Sequence, residues 1–234
     1  MSSTPGREQT TRTIVRDGIA VGVATGAYGV SFGAISVGAG LDVWQTCALS
    51  LLTFTGASQF ALVGVIASGG NPAFAALSAL LLGTRNTLYG LKVAPMLGYR
   101  GSQRGLAAHL LIDESTAMTV TRTSPEHARA GFWATGIAVF SLWNLSTLIG
   151  ALAGDALGDP RTYGLDAAVG GAFLALLWPR LATASNRVAA VLAVALALTL
   201  VPLTPAGVPV LAAAVVAIGM ALLTRDPRAP KEEP

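Results

Sequence analysis

Three polar motifs interrupt stretches of the chain that are otherwise apolar. The first is the run TFTGASQF at 53–60, in which Thr55, Gly56, Ser58 and Gln59 are candidate binding residues. Thr55 and Gln59 are four residues apart, a spacing that predicts a shared helical face. The Gln59 amide has both donors and an acceptor, so it suits a substrate that carries an ammonium and a carboxylate. A hydrogen bond that only joins two helices is an equally good interpretation.

The second motif is the run GTRNTLYG at 83–90, which contains a positive charge. It places Arg85 directly before Asn86 and one helical turn before Tyr89. A guanidinium can bind a carboxylate through two parallel hydrogen bonds, so Arg85 is a candidate for the acidic end of a substrate. The alternative is an arginine that snorkels near a helix end, since Lys92 follows closely.

The third motif contains His109, Asp113 and Glu114. His109 and Asp113 are four residues apart and are predicted to share a helical face, with Glu114 about 100° away around the helix. A carboxylate here could bind a substrate ammonium, carry a proton or pair with Arg85. All three residues are therefore candidates for proton coupling. If this segment instead lies at a membrane surface, its charges are simply hydrated.

The segments around these motifs have the composition of a membrane protein. Only 12% of the 234 residues are charged, against about 25% in soluble domains. A helix needs about 20 apolar residues to cross a bilayer, and a charge within the bilayer is usually retained for function. Arg85, Asp113 and Glu114 are therefore the leading site candidates. Acidic, basic and histidine residues are all absent from 18–41, 43–84, 131–154 and 188–224.

Hydropathy and helix breakers predict an all-α, polytopic membrane protein with seven or eight transmembrane segments. The arginines near both ends favour cytoplasmic termini, which eight crossings satisfy. The basic loop after residue 91 does not fit this topology, because it would lie outside the cell, so segments 18–41 and 104–120 are candidates for broken or re-entrant helices. The glycine spacing in 18–41 favours either a broken helix or a tightly packed one. The predicted segments lie near 18–41, 44–68, 72–91, 104–120, 131–153, 165–180, 188–202 and 207–224.

The domain organisation predicted from the sequence is simple. Residues 14–224 form one transmembrane domain between flexible ends at 1–13 and 225–234, and no cleavable signal peptide is expected. The tripeptide Gly-Leu-Asp occurs at 40–42 and again at 164–166, each time before an apolar segment. This weak echo is compatible with an internal repeat, as found in many transporters.

Several other classes of protein are disfavoured. The net charge is only +3, and no basic stripe interleaved with aromatic residues indicates a nucleic-acid partner. No Walker loop, metal-spaced His/Cys cluster or nucleophile elbow occurs, so we expect no cofactor, no metal and no catalysis. Cys47 is the single cysteine, and Trp143 and Asn144 are interpreted as packing residues.

Together the motifs resemble those of the AzlC family, the large subunits of bacterial branched-chain amino acid exporters. The family's Gly-Ala-x-Gln-Phe pattern is matched at 56–60, and its Asn-x-Arg-His-x-x-Tyr-Gly segment at 83–90. Its Asp-Glu pair corresponds to Asp113 and Glu114, and its Gly-Leu-Asp-Phe segment resembles 164–166. Gly83 and Asn86 depart from the pattern, because the family usually has Asn and His at these two places.

The resemblance implies a secondary transporter of the bacterial inner membrane for leucine, isoleucine and valine, with methionine as a further candidate. It implies transport that is usually outward, coupled to the proton gradient, with a small AzlD-like membrane subunit as partner. In this hypothesis Gln59 and Arg85 contact the substrate carboxylate, and Asp113 or Glu114 contacts its ammonium or carries the proton.

Two rival interpretations stay open. The chain could be a non-transporting subunit that stabilises or regulates a partner, with its buried charges paired for structural reasons. It could also be an intramembrane enzyme, although no second catalytic group lies beside Asp113 and Glu114.

Overall fold

The computed structural model describes residues 10–157, 174 and 177–223. All regular structure in these ranges is helical, which confirms the predicted all-α class. A short 3-10 helix, Trp178–Ala182, precedes the α-helix Ala184–Leu200. The α-helices are α1 (Thr11–Gly26), α2 (Tyr28–Gly38), α3 (Val43–Leu52), α4 (Ala57–Ala67), α5 (Pro72–Leu97), α6 (Gly101–His109), α7 (Asp113–Val120), α8 (Pro125–Leu157), α9 (Ala184–Leu200) and α10 (Val208–Leu223).

Helices α1 and α2 pack along α8 through a row of glycines. The backbone at Ala27, where α1 meets α2, is still helical (φ −57°, ψ −31°), so the two form one nearly continuous helix. A Cβ built on Gly22 would lie 2.5 Å from the Cβ of Ala138, and one on Gly29 would lie 2.5 Å from the Trp143 carbonyl oxygen. The glycines predicted either a broken or a tightly packed helix, and tight packing is what the structure contains.

Two helices of the described residues, Thr11–Gly38 and Pro125–Ala156, are long and apolar enough to cross a membrane. The shorter apolar helices include α3, α4 and α9, so the count of seven or eight crossings stays a prediction. The cytoplasmic placement of the termini is likewise a prediction. Most of the predicted segment 165–180, the second Gly-Leu-Asp at 164–166 and the ends 1–9 and 224–234 lie outside the described residues.

The predicted segment 44–68 is not one helix, because it breaks at 53–56. Helix α3 begins with Asp42 as its N-cap, whose side chain and that of Gln45 form a capping box. It ends at Leu52, and Gly56 has φ +65° and ψ −100°, a conformation that glycine adopts more readily than other residues. The prediction that Thr55 shares a helical face with Gln59 is therefore wrong, since Thr55 lies between the helices.

The predicted segment 104–120 breaks at 110–112, as the sequence suggested for this region. The Ser115 hydroxyl accepts a hydrogen bond from the Ile112 amide (3.0 Å) and donates to the Leu110 carbonyl (2.7 Å). These contacts satisfy backbone groups that the broken helix leaves unpaired. The predicted common face of His109 and Asp113 is wrong, because His109 ends α6 and Asp113 begins α7.

Candidate substrate site

A cavity of about 250 Å³ lies where the two helix breaks meet α1, α2, α5 and α8. Its volume is just below the roughly 300–1,000 Å³ that is typical of ligand pockets, so it suits a small molecule. Breaks of this kind in membrane proteins occur where backbone lines a cavity or is buried in protein. The lining residues are Thr25, Tyr28, Phe54, Thr55, Gly56, Ala57, Phe60, Arg85, Ile112, Asp113, Glu114, Val139 and Trp143.

The Arg85 side chain forms the polar centre of this cavity. Its Nη1 lies 3.1 Å from Oδ2 of Asp113, and the two side chains are 25% and 31% exposed. Its Nη2 donates a hydrogen bond to the Thr55 carbonyl (3.3 Å). A guanidinium has five N–H groups, so these contacts leave further donors on the terminal nitrogens.

Asn86, the residue that follows Arg85 on α5, contacts the helix break at 110–112. Asn86 Nδ2 donates to the Leu111 carbonyl at 3.1 Å. Arg85 and Asn86 therefore supply donors to one backbone carbonyl in each break, Thr55 and Leu111. A helix end leaves carbonyls without intrahelical partners, and an unpaired one is costly away from water. The dipeptide on α5 thus holds both interrupted segments together.

Glu114 is a second carboxylate in the same cavity. Its Oε1 accepts a long hydrogen bond, 3.5 Å, from the Thr25 hydroxyl near the end of α1. Among the residues that line the cavity, Arg85 is the one permanent cation, while Asp113 and Glu114 are both acidic. The site therefore contains one more acidic group than basic groups.

The rest of the wall is aromatic and aliphatic. Trp143 stacks on Phe32 with ring centroids 6.0 Å apart and meets the edge of Phe60 at 6.1 Å. Phe60 and Phe32 are in turn 5.4 Å apart and nearly perpendicular. Phe60, Trp143 and Val139 form an apolar side to a cavity that is charged on its other side, and Phe32 packs behind the two rings.

Five of the residues predicted from the sequence line this cavity: Thr55, Gly56, Arg85, Asp113 and Glu114. Ser58, Gln59 and Asn86 instead line a second, mostly apolar cavity of about 980 Å³ between α4, α5 and α10. Gly83, where the family usually has Asn, also lines the second cavity.

The Gln59 side-chain amide forms hydrogen bonds with backbone carbonyls. It is 1% exposed, and its Nε2 donates to the carbonyls of Leu49 and Ser50, both at 3.2 Å. Both carbonyls belong to the last turn of α3, where the Leu49 carbonyl also accepts hydrogen bonds from the Thr53 amide and hydroxyl. In this structure Gln59 therefore joins α4 to α3, and its amide N–H groups do not face the charged cavity.

Neither His109 nor Tyr89 lines either cavity. The His109 ring lies 5.6 Å from the Phe140 ring, nearly perpendicular to it, and 6.3 Å from the Phe54 ring. Tyr89 is partly buried against the hydrophobic core. The role of His109 in proton coupling is therefore not supported by its position, which is beside Phe54 rather than beside the carboxylates.

Sequence reasoning missed several residues that line the cavity. Thr25 and Tyr28 lie in a glycine-rich run that was interpreted only as a packing or breaking element. Trp143 was interpreted as a packing residue, although a large polar-edged ring in the middle of an apolar helix is a signal of its own. Its Nε1 is buried without a hydrogen-bond partner among the described residues. No group of three His, Cys, Asp or Glu side chains that could hold a metal occurs in the described ranges.

Comparison with known proteins points to a single family. The family model described as AzlC protein matches residues 20–157, which include both helix breaks and every residue that lines the charged cavity. The chain is also similar to inner membrane protein YgaZ of Escherichia coli strain K12, with 30% identity over 132 residues, 54% of each chain. The chain thus spans about half the length of the curated relative that it matches. No solved structure matches it.

Proposed function

The chain belongs to the AzlC family of membrane proteins, whose function is related to transport, and on that premise we propose that it exports branched-chain amino acids. The transporter is secondary, driven by the proton gradient across the bacterial inner membrane, and works with a small AzlD-like subunit. Leucine, isoleucine and valine are its substrates, and methionine is a further candidate.

The observation that carries this proposal is the division of the 250 Å³ cavity into a charged side and an apolar side. An α-amino acid needs a cation for its carboxylate and an anion for its ammonium. Arg85 is the cation, and Asp113 or Glu114 is the anion or carries a proton. The aliphatic side chain then packs against Phe60, Val139 and Trp143, where burial of apolar area contributes to affinity.

The helix breaks support a transport role for this cavity rather than a fixed binding role. Many transporters bind substrates at discontinuous helices near the middle of the membrane, and segments around the site then move relative to one another. Here the cavity is lined by both interrupted segments, 53–56 and 110–112. We propose that these two segments open the site to one side of the membrane at a time.

The existing ion pair favours a second candidate function, that of a non-transporting subunit. Arg85 and Asp113 already satisfy each other at 3.1 Å, as expected for charges that only join α5 to α7. This alternative does not account for the cavity or for Glu114, whose hydrogen bond from the Thr25 hydroxyl is long at 3.5 Å. We therefore place it second.

The test is efflux of labelled leucine from cells preloaded with a leucyl dipeptide, with and without the chain, alone and with an AzlD-like subunit. We expect faster efflux from cells that contain the chain, and loss of about tenfold or more in Arg85→Ala, because a charge-assisted bidentate contact is removed. Arg104→Ala is the matched control, since Arg104 is exposed on α6. Unchanged efflux in Arg85→Ala, at equal membrane levels, would contradict the proposed site.

A further inference from the structure

We propose that Glu114 is the single group at which substrate and proton exclude each other. Its carboxylate pairs with the substrate ammonium in one half of the cycle and binds a proton in the other. The inference rests on the proposed function and goes beyond it. It assigns to one residue the two roles that the sequence divided among His109, Asp113 and Glu114.

The first step of the argument concerns which carboxylate is available. Asp113 is occupied by the Arg85 guanidinium at 3.1 Å. Removing it from that ion pair would leave a charge uncompensated in a partly buried site, which is costly. Glu114 lines the same cavity, and its Oε1 accepts a long hydrogen bond, 3.5 Å, from the uncharged Thr25 hydroxyl. An incoming ammonium can therefore reach Glu114 without breaking the pair.

The second step concerns the carboxylate end of the substrate. Arg85 uses Nη1 for Asp113 and Nη2 for the Thr55 carbonyl, and its remaining N–H groups can bind a second carboxylate. Asp113 is then a positioning residue that orients Arg85, and Glu114 supplies the remaining negative charge. With an amino acid bound, Arg85 contacts both Asp113 and the substrate carboxylate, and Glu114 contacts the substrate ammonium.

The third step compares Glu114 with the other titratable groups around the site. The titratable groups that line the cavity are Tyr28 from α2, Arg85 from α5, and Asp113 and Glu114 from α7. The cavity-lining residues of α1, α8 and the 53–56 break carry no titratable group. His109 at the end of α6 lies beside the Phe54 ring instead.

The exchange balances in atoms and charge. When the amino acid leaves, one proton binds to the Glu114 carboxylate and keeps the group neutral. When the next ammonium arrives, the carboxylate releases that proton to the water that enters with the substrate. One proton is thus exchanged for one zwitterionic amino acid. An inward proton gradient then drives outward transport, since a protonated Glu114 has no charge with which to hold an ammonium.

The Thr25 hydroxyl positions this carboxylate. It lies in the last turn of α1, directly before the junction with α2, and it donates to Glu114 Oε1. Thr25→Val removes the donor with little change of shape, and Thr25→Ser keeps it. We expect Thr25→Val to shift the pH profile of leucine binding, and Thr25→Ser to retain the wild-type profile. A merely structural role for Thr25 would change the folded amount without shifting the profile.

The deciding experiment measures proton release when leucine binds to the purified full chain in weakly buffered detergent, both alone and with an AzlD-like subunit. We expect the wild type to release up to about one proton per leucine bound, in a pH-dependent way. Glu114→Gln should release none, and its residual binding should not depend on pH. Glu126→Gln, an exposed acid in the first turn of α8, and His109→Gln should behave as the wild type.

Each remaining outcome decides the inference. Release of the proton by Glu114→Gln would overturn it, and so would leucine binding to the wild type without any release. Either result leaves the proposed function intact, whereas no leucine binding by the wild type, either alone or with the AzlD-like subunit, would count against that function. If Glu114→Gln binds no leucine, Glu114→Asp decides: a shifted pH profile of release supports the inference, and a wild-type profile overturns it.

Discussion

The Arg85 guanidinium on α5 and the Asp113 carboxylate in the first turn of α7 form an ion pair, with Nη1 and Oδ2 3.1 Å apart. Each side chain remains partly exposed to the cavity that both line. The pair therefore joins two helices and also forms part of a binding surface. These two roles predict different results when the charges are exchanged.

Exchanging the two charges separates the structural role of the pair from its binding role. Arg85→Asp and Asp113→Arg should each lower the amount of folded protein in the membrane, because each places two like charges together. The double variant restores an ion pair and should recover the folded amount. It should not recover leucine efflux, since the cation then lies on α7 rather than on α5. The folded amount is measured by fluorescence size-exclusion chromatography.

The exposed pair Arg16–Asp17 is the control for this exchange, with Nη2 of Arg16 3.2 Å from Oδ1 of Asp17. Exchanging its charges should change stability by less than about 1 kcal/mol, because surface ion pairs contribute little. Full efflux in the Arg85→Asp/Asp113→Arg double variant would contradict the proposed site. It would favour the non-transporting subunit instead.

Gln59 should be important for stability rather than for substrate affinity. In Gln59→Glu an acceptor replaces the Nε2 donor that faces the carbonyls of Leu49 and Ser50. The Leu49 carbonyl keeps the Thr53 amide (3.0 Å) and hydroxyl (2.7 Å) as donors, so the Ser50 carbonyl is the one that loses its donor. A buried carbonyl left without a partner costs about 1–3 kcal/mol, so we expect a clear loss of thermal stability in detergent. The leucine dissociation constant of the remaining folded protein should stay close to that of the wild type.

The control for this change is Gln45→Glu at the start of α3. Glutamate at the third helical position can still accept the Asp42 amide hydrogen bond and also interacts favourably with the helix N-terminus. A Gln59→Glu protein that is stable but binds leucine weakly would show that Gln59 acts on the substrate.

Gly33 should be intolerant of any side chain. Its Cβ position is too close to the Thr147 carbonyl oxygen and lies 2.6 Å from the Ala151 amide nitrogen, both on the α8 backbone. Since backbone cannot rotate away as a side chain can, Gly33→Ala should destabilise by about 1–3 kcal/mol or more. Gly64→Ala in α4 is the matched control, because no atom lies within 4 Å of that Cβ position.

Gly64→Ala should not lower stability, unlike Gly33→Ala. Alanine is favoured over glycine in a helix by about 1 kcal/mol, so Gly64→Ala should be neutral or slightly stabilising. Unfolding temperatures of the purified variants test both values. Equal unfolding temperatures for Gly33→Ala and Gly64→Ala would contradict the close α2–α8 contact.

Val139 should influence which amino acid is preferred. It is 1% exposed on α8 and lines the apolar side of the cavity. Val139→Ala enlarges that side, so the preference for methionine relative to valine should rise by about tenfold, the low end of what one methylene group is worth in such pockets. Competition of unlabelled amino acids with leucine efflux measures the ratio. Val23→Ala, at an exposed position of α1, should leave the ratio unchanged.

The structure departs most from the sequence-based prediction at the helix break 53–56. The polar run 53–60 was predicted as continuous helix, and its i, i+4 spacing then placed Thr55 with Gln59. Gly56 alone did not reveal the break, because glycines are frequent in membrane helices and most of those in α1 and α2 pack against α8. What holds the 53–56 break is a set of donors from elsewhere in the chain, including Arg85 at a separation of 30 residues.

The sequence by itself determined the class of the protein and the charges that matter. Long uncharged runs require helices in a bilayer, and an isolated Arg85, Asp113 or Glu114 among them is costly enough to mark a site. Only the tertiary structure decided which groups face one another. In that structure Arg85 forms an ion pair with Asp113, and Glu114 accepts a hydrogen bond from Thr25. Trp143 lines the cavity, and Gln59 donates to a carbonyl at the end of α3. The reason is that backbone groups freed by a helix break must find partners, and packing between distant helices determines which side chains reach them.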